Sequence, residues 1–297
     1  MGPGGCVTRL FCFGLGFSAL ALARTLQSEG WDVRGTVRSA DKADALRKDG
    51  IHTVVFDGAQ AGAEVAAALD GVTHVMDSIP PRDESICPPL DHFASVLSRS
   101  ENLEWAGYLS TTGVYGDHGG AWIDESTPLV PNLERSARRV AAEEAWLVMH
   151  ERYGLPIHIF RLAGIYGPGR GVLEQVREGR ARRIVKPGQV FSRIHVDDIV
   201  QVLRASMDRP NPGAAYNLCD DEPEAPDKVV GYACELLGVK PPEPIPFEEA
   251  ELSDMAKSFY ADSKRVRNDR IKDELGVVLR HPSYRLGMAA DLAAQDS

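Results

Sequence analysis

The run Gly14-Leu15-Gly16-Phe17-Ser18-Ala19 carries a specific chemical signal. Between a strand and a helix, a GxGxxA run makes its first glycine the tight turn and its second the point where backbone approaches a pyrophosphate. The small sixth residue lets the helix pack closely on the strand. Phosphates would then rest on the helix N-terminus, where Phe17 and Ser18 lie. The expectation is a dinucleotide site formed by Gly14, Gly16, Phe17 and Ser18, against the plainer reading that the glycines serve only a turn. Cofactor choice is read at the end of strand two, where an acid binds the ribose 2′-OH of NAD and a base accepts the 2′-phosphate of NADP. That strand ends Gly35-Thr36-Val37-Arg38-Ser39, so Arg38 and Ser39 point to NADP rather than NAD, unless they are only an exposed arginine and a helix cap. Asp32 lies at the beginning of the strand, remote from the end where ligands bind. Asp57, ending strand three, could contact the adenine or merely start a turn before Gly58.

Those residues need a frame. The pattern predicts strands over Thr8–Phe13, Trp31–Val37, Ile51–Phe56, Val72–Ile79, Ala106–Leu109 and Pro156–Arg161. Between them it predicts helices after Gly16, over Asp41–Lys48 with Ser39 as N-cap, over Glu64–Leu69, around Leu90–Leu97 and over Ser136–Glu151. Gly30, Gly50 and Gly71 fit as helix stops. Alternating strands and helices imply α/β architecture: a Rossmann-type, doubly wound parallel sheet covered on both faces. Arg9 and the apolar stretch Leu10–Ala23 imitate a secretory signal, but only a strand, turn and helix explain Gly14 and Gly16. From about Pro168 the chain turns Gly-rich and basic, then proline-rich. The expected division is a dinucleotide-binding domain over 1–167, with 190–210 returning to it, and a smaller C-terminal substrate lobe over most of 168–297.

Composition narrows the partners. With 43 acidic against 33 basic residues, the formal net charge of −10 offers no global field for nucleic acid, so an anionic ligand must be held locally. No segment approaches the ~18 uninterrupted apolar residues of a membrane span, and a soluble protein without a membrane partner is expected. The five cysteines, Cys6, Cys12, Cys87, Cys219 and Cys234, include no CxxC pair. They argue against a disulfide framework or zinc cluster and suit a reducing compartment, the cytoplasm or an organelle stroma. No metal site is expected.

A further set of motifs runs in order along the chain: Leu109-Ser110-Thr111-Thr112-Gly113-Val114-Tyr115-Gly116, Asp124 to Pro128 with Pro131, and Arg161 to Pro168. Ile194-His195-Val196-Asp197-Asp198, Tyr216-Asn217, Ala261 to Lys264 and Glu274 to Gly276 complete it. This series resembles the extended short-chain dehydrogenases/reductases, grouped as NAD-dependent epimerases and dehydratases, many acting on nucleotide sugars. The resemblance implies a Ser or Thr after strand five that orients substrate, here Thr111. It also implies a Tyr-x-x-x-Lys pair that moves the proton and grips the nicotinamide ribose. Counted from Pro131, those places hold Arg135 and Arg139, with Glu143 matching the family's helix glutamate. Arginine stays protonated and cannot shuttle a proton as tyrosine does, although Arg139 could still contact the ribose. The fingerprint departs too: extended members usually show GxxGxxG, and the first of those positions is Phe13. Together these departures resemble the atypical subgroup, which keeps the fold and cofactor site without the standard pair.

Tyr115, Asp117 and His118 then become the available proton-transfer groups, against readings of packing for Tyr115 and simple exposure for the histidine. Tyr260 to Lys264 spells YxxxK but lies in the family's C-terminal Asp-x-Lys motif and is set aside as a decoy. Arg177, Arg180, Arg182, Arg183, Lys186 and Arg193 are either a solvated face or a grip on substrate phosphate. Against a UDP-sugar, Phe191 replaces an arginine that several epimerases place there. Arg135 and Arg139, four apart on one helix, would form an anion clamp or pair with neighbouring glutamates. The expected function is an NADP-binding oxidoreductase, or an epimerase- or dehydratase-like enzyme, on a small anionic metabolite, nucleotide-linked compounds included. The other reading is a non-catalytic NADP(H)-binding sensor or scaffold.

Overall fold

The computed structural model describes residues 8–295, so Cys6 lies outside the described residues. The elements run β1 (Arg9–Phe13), α1 (Phe17–Ser28), β2 (Asp32–Val37), α2 (Ala40–Lys48), β3 (His52–Val55), α3 (Ala63–Ala68), β4 (His74–Asp77), α4 (Pro88–Leu97) and β5 (Trp105–Thr111). They continue β6 (Trp122–Ile123), α5 (Glu134–Tyr153), β7 (Ile157–Leu162), β8 (Gly164–Tyr166), α6 (Val172–Arg177), β9 (Arg183–Val185), β10 (Arg193–His195), α7 (Val196–Asp208) and β11 (Ala215–Leu218). The last are α8 (Pro226–Leu236), β12 (Pro244–Pro246), α9 (Asp254–Phe259), β13 (Arg265–Val266), α10 (Asp269–Asp273) and α11 (Tyr284–Gln295). The six strands and the helices between them predicted up to residue 162 are present, with ends shifted by a few residues. The apolar stretch after Arg9 is β1, a turn and α1. Gly30, one residue past the last turn of α1, takes φ +87° and donates its N–H to the Gln27 carbonyl, a left-handed stop that other residues rarely adopt.

Seven strands form one parallel sheet in the order β11-β7-β5-β4-β1-β2-β3. β1 pairs in parallel with both β2 and β4. The chain therefore crosses over β1 between β3 and β4, and ligands of doubly wound sheets bind at such a switch point. Phe13 and Asp77 are register partners there, immediately before Gly14 and Ser78.

The chain divides into two compact units. The first comprises residues up to Ser110 with Ala137–Phe160 and Leu203–Ala215; the second comprises Thr111–Ser136, Arg161–Val202 and Tyr216 onward. The sequence drew one main boundary near 167 with a return over 190–210. The observed crossings fall instead within β5, α5, β7, α7 and β11. In the first unit Phe11, Phe13, Phe56, Phe93 and Trp146 are buried in one apolar core. The indole of Trp105 is stacked between the His74 and His158 rings and donates to Ser206 Oγ at 3.0 Å. His158 bridges the Ala106 carbonyl and the Asn211 N–H, and burial first of all pushes its pKa down to about 4. The second unit has its own core around Tyr166, Leu173, Val229, Ala233, Tyr284 and Met288. Among the described residues no helix is long and apolar enough to cross a membrane, and Cys12, Cys87, Cys219 and Cys234 are free and buried.

The packing around Trp105 yields a paired prediction. A Cβ on Gly107 would stand 2.7 Å from Trp105 Cζ2 and 3.1 Å from Phe160 Cε2, so Gly107→Ala overpacks the core and should cost about 1–3 kcal/mol. Gly231, inside α8, has nothing within 4 Å of that position, and Gly231→Ala should add about 0.4–1 kcal/mol. Urea denaturation of both variants checks the two signs.

Candidate functional site

Gly14 takes φ +82°, where L side chains are strained. A Cβ there would also lie 3.1 Å from both Ser78 Oγ and Ile79 Cγ1. Its N–H donates to Thr36 Oγ1 at 2.8 Å, the Leu15 N–H donates to the Thr36 carbonyl at 2.8 Å, and the Ser78 hydroxyl donates to the Gly14 carbonyl. The turn is thus braced by β2 on one side and the end of β4 on the other. Gly16 is the N-cap of α1, extended at φ −81° and with no side-chain cap. A Cβ built on it meets nothing within 4 Å. The space before the helix is a cradle that a side chain would fill, with Phe17 half-buried and Ser18 buried in the first turn. This arrangement fits a pyrophosphate.

Arg38 and Ser39 are both exposed at the end of β2. Ser39 has the backbone of an N-cap for α2, yet its hydroxyl makes no capping bond, so the cap reading leaves the side chain unused. Lys42, which the sequence reading missed, donates from Nζ to the Leu15 carbonyl at 2.8 Å. It follows Arg38 by four residues at the start of a helix, and that spacing was a readable signal. Asp32 pairs with Arg9 at 2.6 Å and Arg34 at 2.9 Å and is in register with Arg9, the first residue of β1, so it sits at the far end of the strands. Asp57 is exposed and accepts the Ala59 N–H at 2.9 Å, which is its turn-forming reading.

Arg139 donates to the Tyr108 hydroxyl at 3.0 Å and the Leu109 carbonyl at 2.9 Å. The buried Asp77 carboxylate accepts from the Ile79 N–H at 2.9 Å and from Trp146 Nε1 at 3.1 Å. Burial is the main cause that pushes Asp77 up to about 7, and these two donors and Arg139 hold it back. The sequence reading did not single out this carboxylate, because nothing in a four-residue strand distinguishes a buried aspartate from a strand-end one.

In the second unit, Thr111 ends β5 and accepts the Gly113 N–H at 3.1 Å, which leaves its own hydroxyl proton to donate. Tyr115 is fully buried. Its hydroxyl donates to Asn217 Oδ1 at 2.8 Å and accepts from Arg161 at 2.9 Å, while burial raises its pKa to about 12. This is the packing reading of Tyr115: its hydroxyl is buried and bonded on both sides. Asp117 accepts the Ser263 and Gly119 N–H groups at 2.7 and 3.2 Å, which hold its carboxyl below the ordinary range. It is a loop clasp and a poor acid. The ring of His118 reaches the Tyr115 carbonyl through Nε2 at 3.1 Å.

Arg135 donates to Ser258 Oγ at 2.6 Å and lies 4.7 Å from the centroid of the Phe259 ring. The two arginines thus hold different partners. In the basic run, Arg177 and Arg180 pair with Glu174 and Glu178, and Arg182 holds the Glu251 carbonyl. Lys186 bonds the Tyr260 carbonyl, and Arg193 bonds the carbonyls of Phe191 and Glu224. Of the two open readings, the internal pairing is the one seen. Tyr260 is a turn residue past α9, and Lys264 donates to the Gly116 carbonyl at 2.7 Å, so this pair shares no helix.

The sequence model of the NAD dependent epimerase/dehydratase family matches residues 14–219. The chain belongs to this family. Among relatives, it is 28% identical over 285 residues to Protein YeeZ of Escherichia coli K12, covering 91% of this chain and 94% of that one. Among solved structures, a functionally unknown conserved protein from Silicibacter pomeroyi is 49% identical, with a TM-score of 0.89 over 97% of this chain and 99% of that one. A dTDP-glucose 4,6-dehydratase from Bacillus anthracis, in complex with NAD, shares the fold at a TM-score of 0.78 and 17% identity, covering 98% of this chain and 96% of that one.

The Gly14–Gly16 turn and the open start of α1 lie within the first unit. Asp77, on the neighbouring strand end, makes the fold sensitive to pH. Its folded pKa is raised above the unfolded value of 3.8, so its contribution is fully present below about pH 4 and is lost as pH rises through about 7. Asp77→Asn removes this proton linkage. At 1.36 kcal/mol per pKa unit, the variant should therefore gain up to about 4 kcal/mol relative to the parent between pH 4 and 8. Urea denaturation of both proteins at a series of pH values reads the difference, and parallel curves would refute it.

Proposed function

We propose that this protein is an NADP-binding oxidoreductase of the epimerase/dehydratase family that acts on a small anionic metabolite. The observation that carries the cofactor reading is the open cradle at Gly16 before α1, beside a turn held in place by Thr36 and Ser78. The preference for NADP is supported by exposed Arg38 and Ser39 at the end of β2 and by Lys42 on the Leu15 carbonyl. Asp32, the one carboxylate of β2, is committed to two arginines. A bound nicotinamide would supply hydride exchange. In this reading Thr111 orients the substrate through its free hydroxyl proton, and Arg135, with donors beyond the one given to Ser258, meets the substrate anion. Arg139, already fixed on Tyr108 and Leu109, would contribute a constant positive charge near the cofactor rather than a moving proton.

A second reading, a non-catalytic NADP(H) sensor or scaffold, is favoured by one observation. Two of the three candidate proton-transfer groups are already engaged: the buried Tyr115 hydroxyl is bonded to Asn217 and Arg161, and two backbone N–H groups hold the Asp117 carboxyl below its ordinary range. Hydride transfer between bound NADPH and a carbonyl substrate separates the two readings, because it occurs only in the first.

Two outcomes test the cofactor assignment. NADPH should bind at least about tenfold tighter than NADH, a gap of about 1.4 kcal/mol, and Arg38→Ala should erase most of it; equal affinities by calorimetry in the parent protein would sink the preference. Gly16→Val should abolish dinucleotide binding while circular dichroism stays native, since the added side chain meets open space in the free protein and occupies only the place of the pyrophosphate.

A further inference from the structure

Helix α9 has no buried residue. Met255 and Phe259 are 69% and 56% exposed, so the helix shows apolar side chains to water and sinks no face into a core. Six residues are too few for a helix to persist on its own, and its order must come from what holds it. Both flanks are fastened within the second unit. Before the helix, Arg182 bonds the Glu251 carbonyl and Ala250 is buried. After it, Lys186 bonds the Tyr260 carbonyl, and the Tyr260 ring stands 5.6 Å from that of Phe191 and 5.1 Å from that of Phe247. Asn132 Nδ2 and Gln189 Nε2 then donate to the Asp262 carboxylate and carbonyl, each at 2.5 Å.

Between those anchors the helix rests on one side chain. Among the described residues, Arg135 alone reaches α9 from outside its own segment by a hydrogen bond or ring contact. Its Nη1 donates to Ser258 Oγ at 2.6 Å, and its guanidinium lies 4.7 Å from the Phe259 ring centroid. The Ser258 hydroxyl gives its own proton to the Met255 carbonyl at 2.6 Å, which leaves its oxygen to accept from Arg135. A cation at the last turn of a helix also meets the negative end of the helix dipole. Segments with few buried apolar contacts open locally at small cost in free energy, and lids over ligand sites are drawn from such segments.

We propose that residues 252–259 form a lid, hinged at Glu251 and Tyr260 and latched by Arg135, that closes over the substrate anion. The inference rests on the reading of Arg135 as the anion's partner. A guanidinium carries five N–H donors in a rigid fork, and the latch takes one of them. An anion held by the others fixes the guanidinium against Ser258 and the Phe259 ring, so binding and closure favour each other. The coupling is reciprocal: a lid that stays open weakens the hold on the anion, and a vacant fork loosens the lid.

Hydrogen exchange of the full chain, read by mass spectrometry on peptides covering 252–260, tests the latch. Arg135→Ala should speed exchange there by about tenfold or more, with peptides from α8 and α11 unchanged. Ser258→Val removes the acceptor at a similar helix propensity; it should act in the same direction and decides the matter if Arg135→Ala fails to fold. Sodium citrate serves as the probe anion: it should slow exchange of the same peptides in the parent and leave Arg135→Ala unaffected. Equal exchange in the parent and both variants overturns the lid. So does acceleration spread across the whole second unit, which would make Arg135 an ordinary fold contact. Acceleration confined to 252–260 with no citrate effect upholds the latch and overturns the anion reading of Arg135 instead.

Discussion

The turn after β1 has to reverse the chain within three residues while leaving the first turn of α1 open, and the rest of the first unit is arranged to allow it. Gly14 takes its positive φ because it has no Cβ, and the same lack of a side chain lets Ser78 and Ile79 stand close against it. Thr36 spends both its hydroxyl and its carbonyl on the turn. The β1 strand can bring those neighbours together because it is flanked by β2 and β4, the two strands that supply Thr36 and the approach to Ser78. Gly35 belongs to the same constraint: a Cβ there would stand 2.8 Å from the Cys12 carbonyl and 2.9 Å from Leu15 Cγ.

Buried ionisable groups mark both units, and each is tolerated for a different reason. Asp77 is held by an indole, a backbone N–H and the nearby Arg139 charge. Glu143, fully buried on α5, accepts the Ser110 hydroxyl. Asp220 is pushed by burial up to about 8, with Arg193 opposing the shift, and its Oδ2 has no protein partner. For Asp77 and Asp220 burial disfavours the charged carboxylate, and the proton it retains towards neutrality turns one oxygen into a donor.

What the sequence showed and what it hid follow from range. The strand, glycine turn and helix at Gly14 are local, and periodicity with glycine placement suffices to find them. Lys42 was also within reach, four residues from Arg38. The fate of Tyr115 was hidden because Asn217 lies 102 residues away and Arg161 46 away. Arg135 is engaged by Ser258, 123 residues on, so no spacing on α5 could distinguish a clamp from a clasp. His195 and Asp197 stand in one short motif, but His281 meets Asp197 from 84 residues beyond it, a contact that no local motif displays. Composition changes once along the chain, near 167, while the two compact units exchange it five times.

That exchange bears on how the protein is made. The first unit is completed only by Leu203–Ala215, and Ser206 within that segment is the partner of the Trp105 indole. A ribosome therefore delivers Arg161–Val202, part of the second unit, before the first can close. Folding domain by domain from the N-terminus, the usual order during synthesis, is unavailable here. The nascent chain must hold the cradle-bearing sheet unfinished, with Trp105 still lacking its hydroxyl partner, until Leu203–Ala215 has emerged.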